Sequence, residues 1–254
     1  MIFKDSGIAG TTAVVTGGSR GIGREIVRML AAEGADVTFF FLANQEAADT
    51  LEAECAEQGL HVTGLQVDVR EPEACRGAVE SVLERTGRID VLVNNAGIIR
   101  DNLLPAFSDE EISDVLATNV LGVFHVTAAV APVMMRQRGG AIVNISSVSA
   151  EKGGKGQTNY AASKGAVNAL TRSLAVELAP RSIRVNAVAP GFVATEIISG
   201  MPAKIIESMV AHTPMGRIGD TADIAEAYLW LASDAANWVT GTTLSVDGGL
   251  VIGT

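Results

Sequence analysis

Tyr160 and Lys164 stand four residues apart in Asn159-Tyr-Ala-Ala-Ser-Lys-Gly-Ala-Val, a segment of helical pattern, so both side chains can share one helix face. An ammonium beside a phenol favours the tyrosinate and is expected to lower the phenol pKa from its reference of about 10. A phenol tuned in this way can exchange a proton with a carbonyl or alcohol oxygen near neutral pH. Taken alone, such a pair is more often a solvated surface couple. Ser147 follows the apolar run 141–145 and could donate its hydroxyl to the same oxygen; the bland reading is a loop serine or helix cap, and Ser146 beside it could be mistaken for it.

A second constellation lies near the start of the chain. Thr16-Gly17-Gly18-Ser19-Arg20-Gly21-Ile22-Gly23 joins an apolar strand to an amphipathic helix, where a dinucleotide pyrophosphate would meet unpaired helix N–H groups. Gly17 would permit the sharp turn, Gly21 would let the backbone approach phosphate, and Gly23 would let the helix close on the strand. A βα turn that binds nothing would look similar. NAD readers place an acid about 20 residues on, at the end of the second strand. Asp36 has that separation but precedes the strand, whose far end reads Phe39-Phe40-Phe41-Leu42. With no carboxylate there to repel a 2′-phosphate and with Arg20 in the turn, NADP(H) is favoured over NAD(H).

These residues require a scaffold. Apolar runs of strand length alternate with helix-period segments from near the start to about residue 190, the pattern of repeated βαβ units and a mainly parallel sheet. Candidate strands are 13–16, 37–41, 62–67, 89–93, 141–145, 183–188 and 243–246. They predict an α/β fold, a Rossmann-type doubly wound sheet of seven strands with helices on both faces. In the first crossover Ile22, Ile26, Val27 and Leu30 share one face, and Gly34 ends the helix. Residues 201–233 read as two helices inserted before the last strand, well placed to cover a substrate, with the cover itself at about 192–220. No linker composition divides the chain, so one domain over 1–254 is expected.

Composition excludes several classes. A formal net charge of -10 argues against a nucleic-acid binder, which needs a clustered basic face. Cys55, Cys75, His61, His125 and His212 fall in no ligand spacing and read as structural, so no metal is expected. The first residues lack the basic start and apolar core of a secretory signal, which with two unpatterned cysteines fits a cytoplasmic protein. The stretch 115–135 is apolar, but Thr118, Asn119, His125, Thr127 and Pro132 interrupt it. A helix buried in the protein or at a subunit interface is expected there, and no membrane span.

The joint occurrence of the glycine turn, Asn94-Asn95-Ala96-Gly97, Asn119, Ser147, Tyr160, Lys164 and Pro190-Gly191 resembles the short-chain dehydrogenase/reductase superfamily over essentially the whole chain. The resemblance implies cofactor contacts from Gly17, Ser19, Arg20, Gly21, Ile22, Gly23, Asp68, Val69, Asn95, Ala96, Gly97, Tyr160, Lys164, Pro190, Gly191, Val193 and Thr195. It implies catalysis by Asn119, Ser147, Tyr160 and Lys164, with Asn119 distorting its helix and holding a relay water. It also implies a homotetramer. Residues 94–104 and 185–192, with the closing 241–249, are similar to 3-oxoacyl-acyl-carrier-protein reductases. The implied reaction is reduction of a 3-oxoacyl thioester, carried on acyl carrier protein or coenzyme A, in fatty-acid or polyketide-type biosynthesis. Arg138 and Arg181 match arginines offered to an acidic carrier; exposed helix-end charges are the alternative. The apolar end of the second strand departs from that subfamily's usual pattern near the adenosine ribose. A secondary-alcohol, polyol or steroid dehydrogenase, or a small-ketone reductase, is the rival enzyme reading, and a non-catalytic nucleotide-binding subunit the rival of another class.

Overall fold

Val14, Val15, Phe39 and Phe40 are wholly buried, which decides what kind of strands the first two are. A strand covered on both faces has no polar face to alternate and reads as a continuous apolar run. The computed structural model describes residues 6–196 and 200–252. The strands are β1 (Thr12–Thr16), β2 (Asp36–Phe41), β3 (Val62–Gln66), β4 (Val91–Asn94), β5 (Gly140–Ile145), β6 (Ile183–Pro190) and β7 (Thr243–Val246). They form one seven-stranded sheet in the order β3-β2-β1-β4-β5-β6-β7, and every neighbouring pair is parallel. Successive residues feed opposite layers: Val15 and Phe39 join one apolar cluster, Val14 and Phe40 the other. This is the doubly wound α/β sheet the pattern predicts. Crossovers leave β1 in opposite directions, so a crevice opens at the carboxyl ends of β1 and β4.

Helix α1 (Gly21–Ala32) buries Ile26, Val27 and Leu30, and Gly34 follows its end at φ +92°. Helices α2 (Gln45–Glu57) and α3 (Pro72–Thr86) complete the first half. The apolar stretch forms α4 (Asp109–Leu116), a π-helical turn at Ala117–Leu121 and α5 (Gly122–Gln137) without a break. Ser108 and Glu111 start it with a reciprocal capping box. Asp109–Gln137 is long and apolar enough to cross a bilayer. Here Val126, Val130 and Met134 pack into the sheet's second cluster, while Leu116, Leu121 and Phe124 stay 38, 49 and 49% exposed.

Short α6 (Ser149–Lys152) and long α7 (Thr158–Leu178) follow β5. The two helices expected in 201–233 are α8 (Ala203–His212) and α9 (Thr221–Ala232). Helix α8 falls within the expected cover and buries no residue. Helix α9 buries Ile224, Ala225, Tyr228, Leu229 and Leu231 in the cluster beneath α1, so its apolar face makes it a sheet-packing crossover instead. The leader expectation rests on residues 1–5, and part of the expected cover on 197–199; both segments lie outside the described residues. Asp36 opens β2 rather than preceding it. It sits at the amino end, where Arg85 Nη1 meets its Oδ2 at 2.7 Å, far from where a ribose reader belongs.

Candidate active site

The glycine turn leaves β1 at its carboxyl end and starts α1. Gly17 and Gly21 both take left-handed backbone, φ +66° and +54°, which only glycine adopts without strain. A Cβ on Gly23 would run into the Gly17 carbonyl oxygen and Asn95 Nδ2, so helix and strand close only on glycine. A Cβ on Gly21 would meet only Thr195 Cγ2, at 3.7 Å, and the cleft of about 500 Å³ there is also bordered by Arg24, Glu25, Ala194, Glu196 and Thr221. Exposed Arg20 is the N-cap, no side chain caps α1, and its first turn holds no acid. The start of α1, with its helix-end N–H groups and positive dipole end, therefore opens on a cleft where a pyrophosphate could bind; Arg24 lines that cleft, as do Glu25 and Glu196. Ser19 is buried in the turn and Ile22 begins the apolar face of α1.

The end of β4 is fastened to that turn. Thr16 Oγ1 accepts from the backbone N–H groups of Asn95 (3.0 Å) and Ala96 (2.9 Å). Asn95 Nδ2 donates to the carbonyls of Thr16 and Gly17, both at 3.0 Å. Asn94 turns inward, donating to Thr127 Oγ1 at 3.0 Å and Asn144 Oδ1 at 2.9 Å, so it is a core brace.

Gly97 is where two predicted residues meet. Its Cβ position lies 3.3 Å from Asn119 Oδ1 and 3.6 Å from Lys164 Nζ. Asn119 sits in the π turn, where its Oδ1 accepts from Ile98 N (2.8 Å) and its Nδ2 donates to Ile98 O (3.0 Å) and Ser163 Oγ (3.1 Å). The helix distortion thus coincides with an asparagine side chain holding the loop after β4. Lys164 is 2% exposed and donates from Nζ to the Ile145 carbonyl at 2.9 Å. Burial pushes its ammonium down to about 7, close to half-charged at neutral pH.

Tyr160 and Lys164 share a face of α7, with Nζ 5.5 Å from the phenol ring centroid. The direction expected for the phenol is reversed. Burial raises the Tyr160 pKa; a hydrogen bond from Ser147 partly offsets this, and the Asp101 carboxylate adds to the rise. The reason is that Lys164 is itself desolvated and aims its donor at a backbone carbonyl, so it lends the phenol little positive field. Ser147 Oγ also accepts from Ser149 N at 3.1 Å, which fixes the turn after β5. Ser146, the other candidate, is 1% exposed, and its Oγ is buried with no hydrogen-bond partner among the described residues.

On the flanks, Asp68 lies beyond β3 and is paired with Arg70 (2.6 Å), whose guanidinium holds its carboxyl below the usual range. Val69 is buried, and its carbonyl contacts His125 Nδ1 at 2.9 Å, giving that histidine a structural partner. Pro190 ends β6, and its carbonyl accepts from Val148 N at 3.1 Å, tying the Gly191 to Thr195 loop beside Ser147. Val193 in that loop is buried and bridges Gly219. Arg138 and Arg181 are exposed but stand at the opposite edge of the sheet, after α5 and α7. The 21 residues of α7 put Arg181 roughly 30 Å from Tyr160 at 1.5 Å per residue.

The family model for Enoyl-(Acyl carrier protein) reductase matches residues 16–251, nearly the whole chain. A 3-oxoacyl-(acyl-carrier-protein) reductase FabG of Staphylococcus aureus strain Mu50 is 43% identical over 239 residues, 94% of this chain and 97% of that protein. The chain belongs to the short-chain dehydrogenase/reductase family. A FabG of Thermotoga maritima is 43% identical over 245 residues, 96% of this chain and 99% of its own length. The solved structure of gox2181 superposes with a TM-score of 0.92 at 36% identity, covering 96% of each chain.

For this short-chain dehydrogenase/reductase, sequence reasoning overlooked several residues of the site. Thr16 braces the β4 loop, and its only signal was a hydroxyl at a strand end directly before the glycines. Asp101 raises the phenol pKa and meets Gln157 Nε2 at 3.3 Å; no spacing rule joins a residue of the β4 loop to the start of α7. Ser163 links Asn119 to the Tyr160 carbonyl (2.7 Å) and was legible only once the helix face was drawn.

Proposed function

We propose that this chain reduces the ketone of a 3-oxoacyl thioester to the 3-hydroxyacyl thioester with NADPH, in fatty-acid or polyketide-type biosynthesis. The observation that carries the reading is the Tyr160–Lys164 pair on one face of α7, with Ser147 close enough to act on the phenol, at the sheet edge where Gly97 and Lys164 also meet. A phenol with a serine hydroxyl beside it suits one carbonyl oxygen. The names carried by the relatives agree with this reaction.

A bound dihydronicotinamide would supply hydride to the carbonyl carbon. Tyr160, kept protonated by its raised pKa, gives its proton to the carbonyl oxygen, while Ser147 donates a hydrogen bond to the same oxygen. Lys164, with a pKa of about 7 and beside Asn119 at Gly97, is placed to hold a ribose hydroxyl and return a proton to the phenol through a relay water. The glycine turn, Asp68 and Val69, Asn95 to Gly97, and the Pro190 to Thr195 loop hold the rest of the nucleotide. No step requires a metal.

Preference for NADPH rests on Arg20 beside an uncapped helix end and on the exposed, uncharged Leu42 past β2. Arg20→Ala is expected to raise KM for NADPH roughly tenfold or more, the loss of one charge-assisted hydrogen bond, with little change for NADH. A wild type that favours NADH contradicts the preference.

Arg138 and Arg181 remain candidates for docking an acidic carrier. Because both lie at the edge opposite Tyr160, a carrier bound there would serve the site of another protomer. The exposed Leu116, Leu121 and Phe124 face supports assembly into a homotetramer. Two free, buried cysteines, with the Cys75 thiol pushed up to about 11 by burial, fit a reducing cytoplasm.

NADPH oxidation against a panel of 3-oxoacyl thioesters and simple ketones tests the function. Thioesters should exceed ketones by about 100-fold or more in kcat/KM, the scale that remote binding energy supplies. Equal rates on plain ketones would favour a general alcohol dehydrogenase.

A further inference from the structure

In the segment after Ser147, a cavity of about 230 Å³ is bounded by Val148, Ser149, Gln157, Phe192 and Leu250, with Lys152 and His212 at its exposed rim. It shares no lining residue with the cleft at Gly21. Val148 directly follows the catalytic serine and Phe192 directly follows Gly191, so the cavity is walled by the two segments that carry that serine and the nicotinamide loop. Its most deeply buried wall is Leu250, 2% exposed.

Leu250 is held there by a built turn rather than by a loose chain end. Past β7, the Asp247 carboxylate accepts from the N–H groups of Gly249 and Val251, each at 2.9 Å. Leu250 N returns to the Asp247 carbonyl at 3.2 Å, and Met215 N donates to the Gly248 carbonyl at 3.1 Å, pinning the turn to the segment after α8. Lys152 Nζ donates to the Leu250 carbonyl at 3.4 Å. A side chain at Gly191 would strike Asp247 Cα, 2.8 Å from its Cβ position, so the turn also rests against the nicotinamide loop.

We propose that Leu250 is the end wall of an acyl pocket and sets the length of acyl chain the enzyme accepts; the inference rests on the 3-oxoacyl thioester reading. At about 30 Å³ for a water-sized group, the cavity takes about seven methylene-sized groups beyond the ketone. Selectivity therefore rises with chain length to about ten carbons and falls beyond. A buried methylene is worth about fourfold in binding, so each one that the wall excludes costs a similar factor.

The test compares kcat/KM for 3-oxoacyl-CoA substrates of six, eight, ten and twelve carbons in the wild type, Leu250→Ala and Leu250→Val. The twelve- to eight-carbon ratio should rise roughly sixteenfold in Leu250→Ala, which admits about two more methylenes, and roughly fourfold in Leu250→Val. The milder variant carries the test if the alanine variant unfolds. An unchanged ratio in a folded variant overturns the assignment of Leu250. A wild type that reduces none of the thioesters overturns the substrate reading instead, and the inference falls with it.

Discussion

Tyr160→Phe keeps the ring and removes its phenolic oxygen, so single-turnover reduction of a 3-oxoacyl thioester should fall about 100- to 10,000-fold, the range general acid catalysis contributes. Nucleotide affinity should stay within about threefold, because Lys164 and the glycine turn are untouched. Stopped-flow absorbance of NADPH reads the first quantity and fluorescence titration the second. A rate loss below about tenfold would remove Tyr160 from the acid role. The raised phenol pKa adds a sign to the pH dependence: the donor is protonated across the neutral range, and its titration reduces the rate only as pH climbs past the ordinary tyrosine value.

Lys164→Met should be nearly as damaging, lowering kcat/KM about 100- to 1,000-fold by removal of a preorganised donor, and weakening nucleotide binding as well. It also has a stability signature in the nucleotide-free protein. Folded Lys164 titrates near 7 and an unfolded lysine near 10.5, so between these values the unfolded chain holds the extra proton. Stability therefore rises with pH across that window, and below about 7 the cost of charging the buried amine is fully present, on the order of a few kcal/mol. Relative to Lys164→Met, the wild type should gain melting temperature between pH 6 and pH 9. Parallel curves for the two proteins would mean that burial does not depress this amine.

The fold was legible because its strands are buried on both faces. Runs such as Val14-Val15 and Phe39-Phe40-Phe41 have no other home than the middle of a parallel sheet, and the helices between them carry apolar stripes such as Ile26, Val27 and Leu30. The glycine turn and the Tyr160–Lys164 pair were legible because each acts through local spacing. What failed depends on contacts distant in sequence. The sign of the Tyr160 shift is set by desolvation and by a carboxylate at Asp101. Lys164 spends its hydrogen bond on Ile145, a residue no spacing rule pairs with it. Helix α9 has the amphipathic look of a cover, yet its stripe lies against α1 and the sheet. Periodicity reports that a face is buried and not against what. Likewise Arg138 and Arg181 follow helices whose direction puts them at the far edge of the sheet, which their sequence positions alone do not reveal.

A crystal structure of the chain with NADP+ and a 3-hydroxyacyl thioester would test the central claim most directly. The hydroxyl-bearing carbon should lie about 3 to 3.5 Å from nicotinamide C4, its oxygen within hydrogen-bond reach of both Tyr160 and Ser147, and Lys164 Nζ on the ribose. An alcohol oxygen beyond reach of both hydroxyls, or a nicotinamide ring lodged away from Gly97 and Pro190, would contradict the account.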